Sequence, residues 1–365
     1  MHTRRTFAAL GAAGFASACA TTARAPTPSF QLAPVIVSEE RMIRADVGLR
    51  PYRPNGFRVE REAFGEKTLV HNYGHGGGGI TLSWGTAHLA LELGYDSSVS
   101  EYAVLGCGAV GLATARLLQE RGARVRLYAK DLPPNTTSNV AGAQWWPASV
   151  YSTRREQSPH FMDQFHQAAR FAFLRFQTLA GPEFGVSWER NFQVSERPIR
   201  NYPAAEDSSM RALVVNQRDY APGEHPFEAP HVRGFDTMMI ETPRYLRQME
   251  RDVRIAGGEI VVRAFTDAAE IAALPEPVIF NCTGLGAGEL FGDAEIMPMR
   301  GQLAILEPQP DVDYNVLGGG YYMFGRADGI VLGGTFERGE WSLEPDPADI
   351  ARIIAGNRDL LRLRA

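Results

Sequence analysis

The strongest constraint on this chain lies at residues 102–114. Tyr102-Ala-Val-Leu-Gly106-Cys-Gly108-Ala-Val-Gly111-Leu-Ala-Thr runs from an apolar strand through a G-x-G-x-x-G turn into a helix-forming stretch. Such a βαβ unit binds dinucleotides, because its glycines let the backbone approach a pyrophosphate and the helix N-terminus attracts the charge. Gly106, Gly108, Ala109, Val110 and Gly111 are therefore candidate cofactor-binding residues. The second strand of the unit, Val125-Arg-Leu-Tyr128, leads into Ala129-Lys130-Asp131, where an acid is needed for the adenosine ribose. Asp131 is the candidate for that contact, with Lys130 crowding the place where an acid is usual. The unit begins late in the chain, and its position calls for an explanation.

Bulk properties narrow the alternatives. A chain of 365 residues has room for two ordinary domains. A net charge of −5 and scattered arginines argue against a nucleic-acid binder. The three cysteines, Cys19, Cys107 and Cys282, cannot form a disulfide framework, and the last two read as small packing residues. The eight histidines are dispersed without ligand spacing, so no metal is expected.

The N-terminus reads as an export signal over 1–25. Arg4-Arg5 before Phe7 and a short apolar run resemble a twin-arginine signal, with cleavage after Ala18 or Ala25. The apolar part is too short to span a bilayer. The expected location is periplasmic, with membrane attachment only if Cys19 is lipidated. Residues 26–34 read as a linker rich in Thr, Ala and Pro.

Further along, hydrophobic patterning predicts strands at Thr68–Tyr73, Glu259–Arg263, Glu276–Phe280, Gly301–Leu306 and Gly329–Gly334. It predicts helices over Thr86–Leu93, Phe161–Leu179, Thr242–Ala256 and Pro345–Leu363. Residues 184–228 read as irregular. Gly74-His-Gly-Gly-Gly-Gly79 is flanked by Val70, Tyr73, Ile80 and Trp84, so its glycines would let backbone approach a flat ligand. His75 reads as a hydrogen-bonded core residue. Arg50 stands between Leu49 and Pro51 on stiff extended backbone, which suits a guanidinium fork for a carboxylate; its other reading is a salt bridge. Asn281-Cys-Thr283-Gly284 delivers small residues from a buried strand to a turn, where a cofactor can pass closely or where a strand simply ends.

Taken together, these strings resemble the D-amino-acid oxidase family of FAD enzymes. The resemblance rests on the fingerprint, on Asn135-Thr-Thr-Ser-Asn-Val-Ala-Gly-Ala-Gln-Trp145, on Asn281-Cys-Thr-Gly, on Arg300-Gly-Gln, and on Leu332-Gly-Gly-Thr-Phe with Trp341. Gly48-Leu-Arg-Pro-Tyr-Arg-Pro and His71-Asn-Tyr-Gly-His-Gly-Gly-Gly-Gly-Ile-Thr-Leu-Ser-Trp-Gly are similar to that family's closing segment, yet stand first here. A circular permutation would explain the late fingerprint, and exposed connections tolerate such a change.

The resemblance implies an α/β fold, with a Rossmann-like FAD domain and a substrate domain on a curved mixed β-sheet. The expected division is a substrate-domain segment 35–67, an FAD domain made of 68–150, 235–300 and 325–365 with the C-terminal helix, and a substrate domain from 151–234 and 301–324. It implies that Arg50 holds a substrate carboxylate with Tyr322, and that the Gly77 carbonyl meets the substrate amine. FAD would contact Thr136, Thr137, Ala143, Gln144, Trp145, Thr283, Gly284 and the run Gly76, Gly77, Gly78, Gly79, Ile80 and Thr81. Where the family has a second pocket tyrosine, Gly318 stands here, and Tyr321 is expected to compensate. Trp146 replaces a frequent Gln. The implied reaction is oxidative deamination of a D-amino acid, with O2 as acceptor and hydrogen peroxide, ammonia and a 2-oxo acid as products. Rivals are a dehydrogenase of the same fold feeding a quinone, an NAD(P) enzyme, and a non-catalytic exported binding protein. The oligomeric state is left open.

Overall fold

The computed structural model describes residues 28–200 and 208–364, so the expected export signal lies outside the described residues. Two sheets organise the chain. The smaller runs β2 (Arg58–Phe64), β3 (Lys67–Tyr73), β10 (Val278–Asn281), β4 (Glu101–Leu105), β5 (Arg124–Ala129) and β9 (Glu259–Val262). It is parallel from β3 to β9, with β2 added antiparallel at one edge. The central strands β4 and β10 are near-continuous apolar runs, Tyr-Ala-Val-Leu and Val-Ile-Phe, because both of their faces are covered. Helices α1 (Ser83–Gly94), α2 (Ala109–Glu120), α3 (Pro159–Thr178) and α5 (Thr242–Ile255) share the core on one side. Ile271 and Leu274, in and after the short α6 (Ala268–Ala272), close the other.

The larger sheet runs β1 (Met42–Tyr52), β11 (Met297–Leu306), β14 (Gly329–Gly333), β13 (Tyr321–Arg326), β12 (Tyr314–Gly318), β6 (Val186–Ser195), β8 (His231–Ile240) and β7 (Val215–Tyr220), with β15 (Glu337–Arg338) beside β11. Because successive strand residues face opposite ways, this sheet sorts its side chains cleanly. Leu303, Ile305, Tyr322, Phe324 and Val331 pack on one face. Ala304, Leu306, Met323, Ile330 and Leu332 pack on the other, against Ile350, Ile353 and Ile354 of α8 (Pro347–Leu360).

Several expectations are revised by this arrangement. Helix α8 and β14 belong with the large sheet, so 325–365 does not join the nucleotide-binding layers; the apolar stripe of α8 matches the face of β13 and β14 opposite the cleft. Strand β2, inside the expected 35–67 substrate segment, pairs with β3 in the nucleotide sheet. Helix α3, inside 151–234, packs its Phe161, Phe165 and Phe176 into the nucleotide-side core. Strand β8 ends and β11 begins within 235–300, yet both belong to the large sheet. The stretch 184–228 holds β6, β7 and the short α4 (Ser208–Arg211). Its strands carry Arg, Glu, Asn and Gln on half-exposed faces, which hides the period of two. Residues 28–34 of the expected linker are packed: Phe30 stacks on Phe192 with ring centres 5.0 Å apart, and Ala33 O accepts from the Tyr314 hydroxyl at 2.6 Å. A single aromatic outweighs the surrounding Pro and Thr.

Candidate active site

A cleft of about 1960 Å³ separates the carboxyl ends of the small sheet from one face of the large sheet. Ligands bind at this end of open parallel sheets because crossovers diverge there. Its floor is the fingerprint turn. Gly106 has φ +105, and a Cβ on it would lie 2.5 Å from Cys282 O, so only glycine lets the two turns meet. A Cβ on Gly111 would lie 1.9 Å from Gly106 O; its work is close helix–strand packing, and it does not line the cleft. Gly108, Ala109 and Val110 line it at the start of α2. Ser138, which the fingerprint alone does not reveal, accepts the Ala109 N–H on its hydroxyl at 3.1 Å. Lys130 and Asp131 line the same end, exposed and 3.8 Å apart.

The Asn281 turn is fixed by a chain of donors. Asn281 Oδ1 accepts from Thr283 N at 3.1 Å and from Thr283 Oγ1 at 2.7 Å. That orientation turns the amide nitrogen toward His71 Nδ1 at 3.0 Å, and His71 Nε2 meets Glu62 at 3.3 Å. Thr283 and Gly284 are thereby presented to the cleft. Both thiols are disfavoured as thiolates, since burial pushes Cys107 and Cys282 up to about 12.

The glycine run forms a short 3-10 turn, Gly76–Gly78, ahead of α1. Gly77 N donates to Ser149 O at 3.2 Å, which ties it to the loop after Trp146. Gly76, Gly77, Gly79, Ile80 and Thr81 line the cleft, whereas Gly78 is turned to Val150 and Leu82. His75 is a core residue: it is buried, its Nε2 lies 2.9 Å from Thr86 Oγ1, and burial holds its imidazole down to about 3. Thr136, Thr137, Ala143 and Gln144 line the cleft. Ala143 takes φ +63, and Gln144 Nε2 donates to Asn191 Oδ1 at 2.6 Å. Trp145 does not reach the cleft; its ring is buried against Phe173, and Trp146 lines the wall instead.

The opposite wall carries the chemistry-bearing side chains. Arg50 pairs across β1 with Met299, and Gly301 stands one step along the same face. A Cβ on Gly301 would lie 2.3 Å from Arg50 Nη1, so that glycine lets the guanidinium lie flat on β11. Gly333 does the same for Tyr322: a Cβ there would lie 2.1 Å from the ring Cζ. In the sequence both glycines read as members of predicted strands, Gly301–Leu306 and Gly329–Gly334. Burial raises the Tyr322 phenol, outweighing the lowering effect of the neighbouring Arg50 guanidinium. Arg50 Nη1 is buried without a hydrogen-bond partner among the described residues, and the guanidinium carbon lies 4.9 Å from the Phe336 ring centre.

Two readings at this wall are corrected. Tyr321 borders the cleft, but alternation along β13 turns its ring to the face opposite Tyr322, where a Cβ on Gly356 of α8 would lie 2.3 Å from it, so it does not stand in for a second pocket tyrosine. Gly318 pairs with Tyr321 and borders the cleft, but its missing side chain would meet Val194 O at 2.3 Å and Leu360. Leu317, paired with Tyr322, is the β12 side chain beside the site.

A dinucleotide cleft faced by an anchored guanidinium and phenol defines a cofactor-dependent enzyme of the two-sheet α/β class. The DAO family, described as FAD dependent oxidoreductase, matches residues 25–93 and 101–363, and the chain belongs to it. A D-amino-acid oxidase of Streptomyces coelicolor is 33% identical over 267 residues, covering 71% of this chain and 77% of that protein. A second, from Rubrobacter xylanophilus, is 33% identical over 265 residues, covering 70% and 76%. Among solved structures, glycine oxidase from Bacillus cereus aligns with a TM-score of 0.53 and 14% identity over 73% of this chain and 81% of its own, a likeness of fold. The cofactor is FAD. The residues fit it: the cradle at Gly106 and Gly108 is one that a Cβ would close, and Thr283, Gly284 and the Gly76–Thr81 turn converge on it.

Proposed function

We propose that the chain oxidises D-amino acids to imino acids, which water converts to 2-oxo acids and ammonia, with oxygen taking the electron pair to give hydrogen peroxide. The observation that carries this reading is Arg50: a buried guanidinium nitrogen without a hydrogen-bond partner among the described residues, beside a half-buried phenol, on the wall facing the cofactor cradle. A carboxylate supplies the anion that such a fork takes in two parallel hydrogen bonds. The names of the similar curated proteins support the D-amino acid as substrate.

FAD, when bound, supplies the acceptor for the hydride leaving Cα. The work of the chain is orientation. Arg50 and Tyr322 grip the carboxylate, and the Gly77 carbonyl accepts from the amine. These two fixed points, with the cleft wall as a third constraint on the side chain, restrict the direction the Cα hydrogen faces, which is worth several orders of magnitude in effective concentration. The raised Tyr322 phenol stays protonated, so it donates to the carboxylate and does not compete as an anion.

The test is anaerobic mixing of purified holoprotein with D- and L-amino acids while following flavin absorbance. Bleaching by D-forms alone supports the reading; bleaching by L-forms or glycine only replaces the substrate. Re-oxidation by air with stoichiometric peroxide supports oxygen as acceptor, and slow re-oxidation that a soluble quinone accelerates favours a dehydrogenase.

The order of segments is proposed to be a circular permutation. Its support is a family match that falls in two parts, joined here by a short turn, and chain ends that touch: Arg358 Nε donates to Val37 O at 3.1 Å. A gene reordered so that 101–364 precedes 30–94 should yield a folded FAD protein. Export by the twin-arginine route is likewise proposed from Arg4-Arg5, with retention in the cytoplasm of an Arg4→Lys, Arg5→Lys variant as its test.

A further inference from the structure

Arg50 and Gly77 stand on different elements, and one buried carboxylate outside the cleft ties those elements together. Asp293 follows α7 (Gly286–Phe291), and its side chain is only 6% exposed. Its Oδ2 accepts from Arg53 Nε at 2.8 Å and from the Tyr73 hydroxyl at 2.7 Å. Arg53 directly follows β1, the strand of Arg50, whereas Tyr73 ends β3 and leads straight into the glycine turn that carries Gly77. The other carboxylate oxygen, Oδ1, accepts from Glu295 N at 2.9 Å, which fixes the plane of the group.

The seam around this carboxylate leaves little play. Arg53 also donates from Nη1 to Gly56 O at 3.0 Å and pairs through Nη2 with Glu295 at 3.0 Å, so each of its nitrogens is engaged. Its stem runs beneath Gly74, where φ is +86 and a Cβ would lie 2.5 Å from Arg53 Cδ. Arg58 Nη1 donates to the Tyr73 oxygen at 3.3 Å, which holds the phenol from its other side. Neither Arg53 nor Asp293 lines the cleft, so both act on chemistry there only through the groups they hold. Asparagine is no substitute for Asp293, because an amide has one acceptor oxygen and here both oxygens accept.

We propose that Asp293 is a positioning residue that sets the separation between the carboxylate grip at Arg50 and the amine grip at the Gly77 carbonyl. This rests on the proposed function. A substrate bound at both points feels that separation, whereas a ligand bound through its carboxylate alone does not. Reacting geometry tolerates little error, a misplacement of about 1 Å costing on the order of 100-fold in rate. Loosening Asp293 frees the glycine turn from β1. The Arg50 and Tyr322 side chains keep their places, because they lie on Gly301 and Gly333 of the large sheet.

The experiment compares holoprotein of the wild type, Asp293→Asn, Tyr73→Phe and Arg50→Met by three readouts. They are FAD content, the flavin spectral shift on titration with propionate, and the limiting rate of anaerobic flavin reduction by the D-amino acid that reduces the wild type fastest. Asp293→Asn should keep its FAD and bind propionate within about twofold of the wild type, yet be reduced roughly tenfold more slowly. Tyr73→Phe, which removes one hydroxyl, should show the same split in smaller measure, whereas Arg50→Met should lose propionate binding and reduction together. Equal losses of propionate binding and reduction in Asp293→Asn overturn the proposal while leaving the function intact, as does an unchanged reduction rate. Should Asp293→Asn fail to hold FAD, Tyr73→Phe decides by the same two readouts. A wild-type flavin that no D-amino acid reduces overturns both the function and the positioning role.

Discussion

The two ends of the cleft are made by different means. At the cofactor end the chain offers backbone: Gly106 at φ +105, the start of α2, and the Gly76–Gly78 turn. At the substrate end it offers side chains from β1 and β13, Arg50 and Tyr322, each lying over a bare glycine. A backbone site is closed by adding an atom, whereas a side-chain site is emptied by removing one. The two ends should therefore fail separately, with distinct readouts.

The largest effect should follow from Gly106→Val. The positive φ alone is strained by about 1–3 kcal/mol in a non-glycine residue, and the new Cβ would press on Cys282 O. FAD retention after gel filtration should fall on the order of 100-fold, and activity with it. A variant that keeps its flavin would show that the cradle is not where the pyrophosphate lies.

Arg50→Met should do the opposite: flavin content intact, with kcat/KM for a D-amino acid lowered by about 2–5 kcal/mol, the usual loss on truncating a buried hydrogen-bonded charge pair. Unchanged turnover would break the assignment of the wall. A milder version keeps the arginine and moves it. Gly301→Ala would place a methyl about 2.3 Å from Nη1, forcing the guanidinium off β11. A rise in KM of roughly tenfold or more, at full FAD content, is expected from such a misplacement.

The smallest kinetic test separates two adjacent tyrosines. Tyr322→Phe should lose about 0.5–1.5 kcal/mol in kcat/KM, one hydrogen bond to the carboxylate. Tyr321→Phe should leave kinetics alone, because that ring packs on α8. Equal effects would mean that β13 alternates the other way in solution.

The same contrast explains what could be read in advance. The cofactor end is local: Gly106 to Gly111 and the strand before them lie within one short stretch, so spacing and residue type suffice. The substrate end is assembled across β1, β11, β13 and β14, and its support comes from Gly301 and Gly333, which look like any strand glycine until register sets them beneath a guanidinium and a phenol. Tyr321 and Tyr322 are indistinguishable as a dipeptide; only the pairing of β13 decides which one faces the cleft. The place of α8 was hidden for a related reason, since an apolar stripe says that a helix is buried but not against which sheet.

His75 joins the two ends, and its titration offers the finest test. Its backbone bridges Tyr52 of β1, and its ring bonds Thr86 of α1. Burial holds the imidazole near 3, whereas in the unfolded chain it titrates near 6.5. Between those values the unfolded state binds a proton that the folded state does not, so stability rises with pH through this window and is lost as pH falls below about 6.5. Thermal unfolding of the holoprotein from pH 7 to 5 should show a falling midpoint, and His75→Gln should make that fall shallower, even if its midpoint at pH 7 is lower. His71 has its imidazole lowered too, by burial first and by Arg58 next, and it remains in the variant, so part of the slope should persist. If the two profiles run parallel, His75 is protonated in the folded state, and the joint between cradle and wall is looser than its buried bond to Thr86 implies.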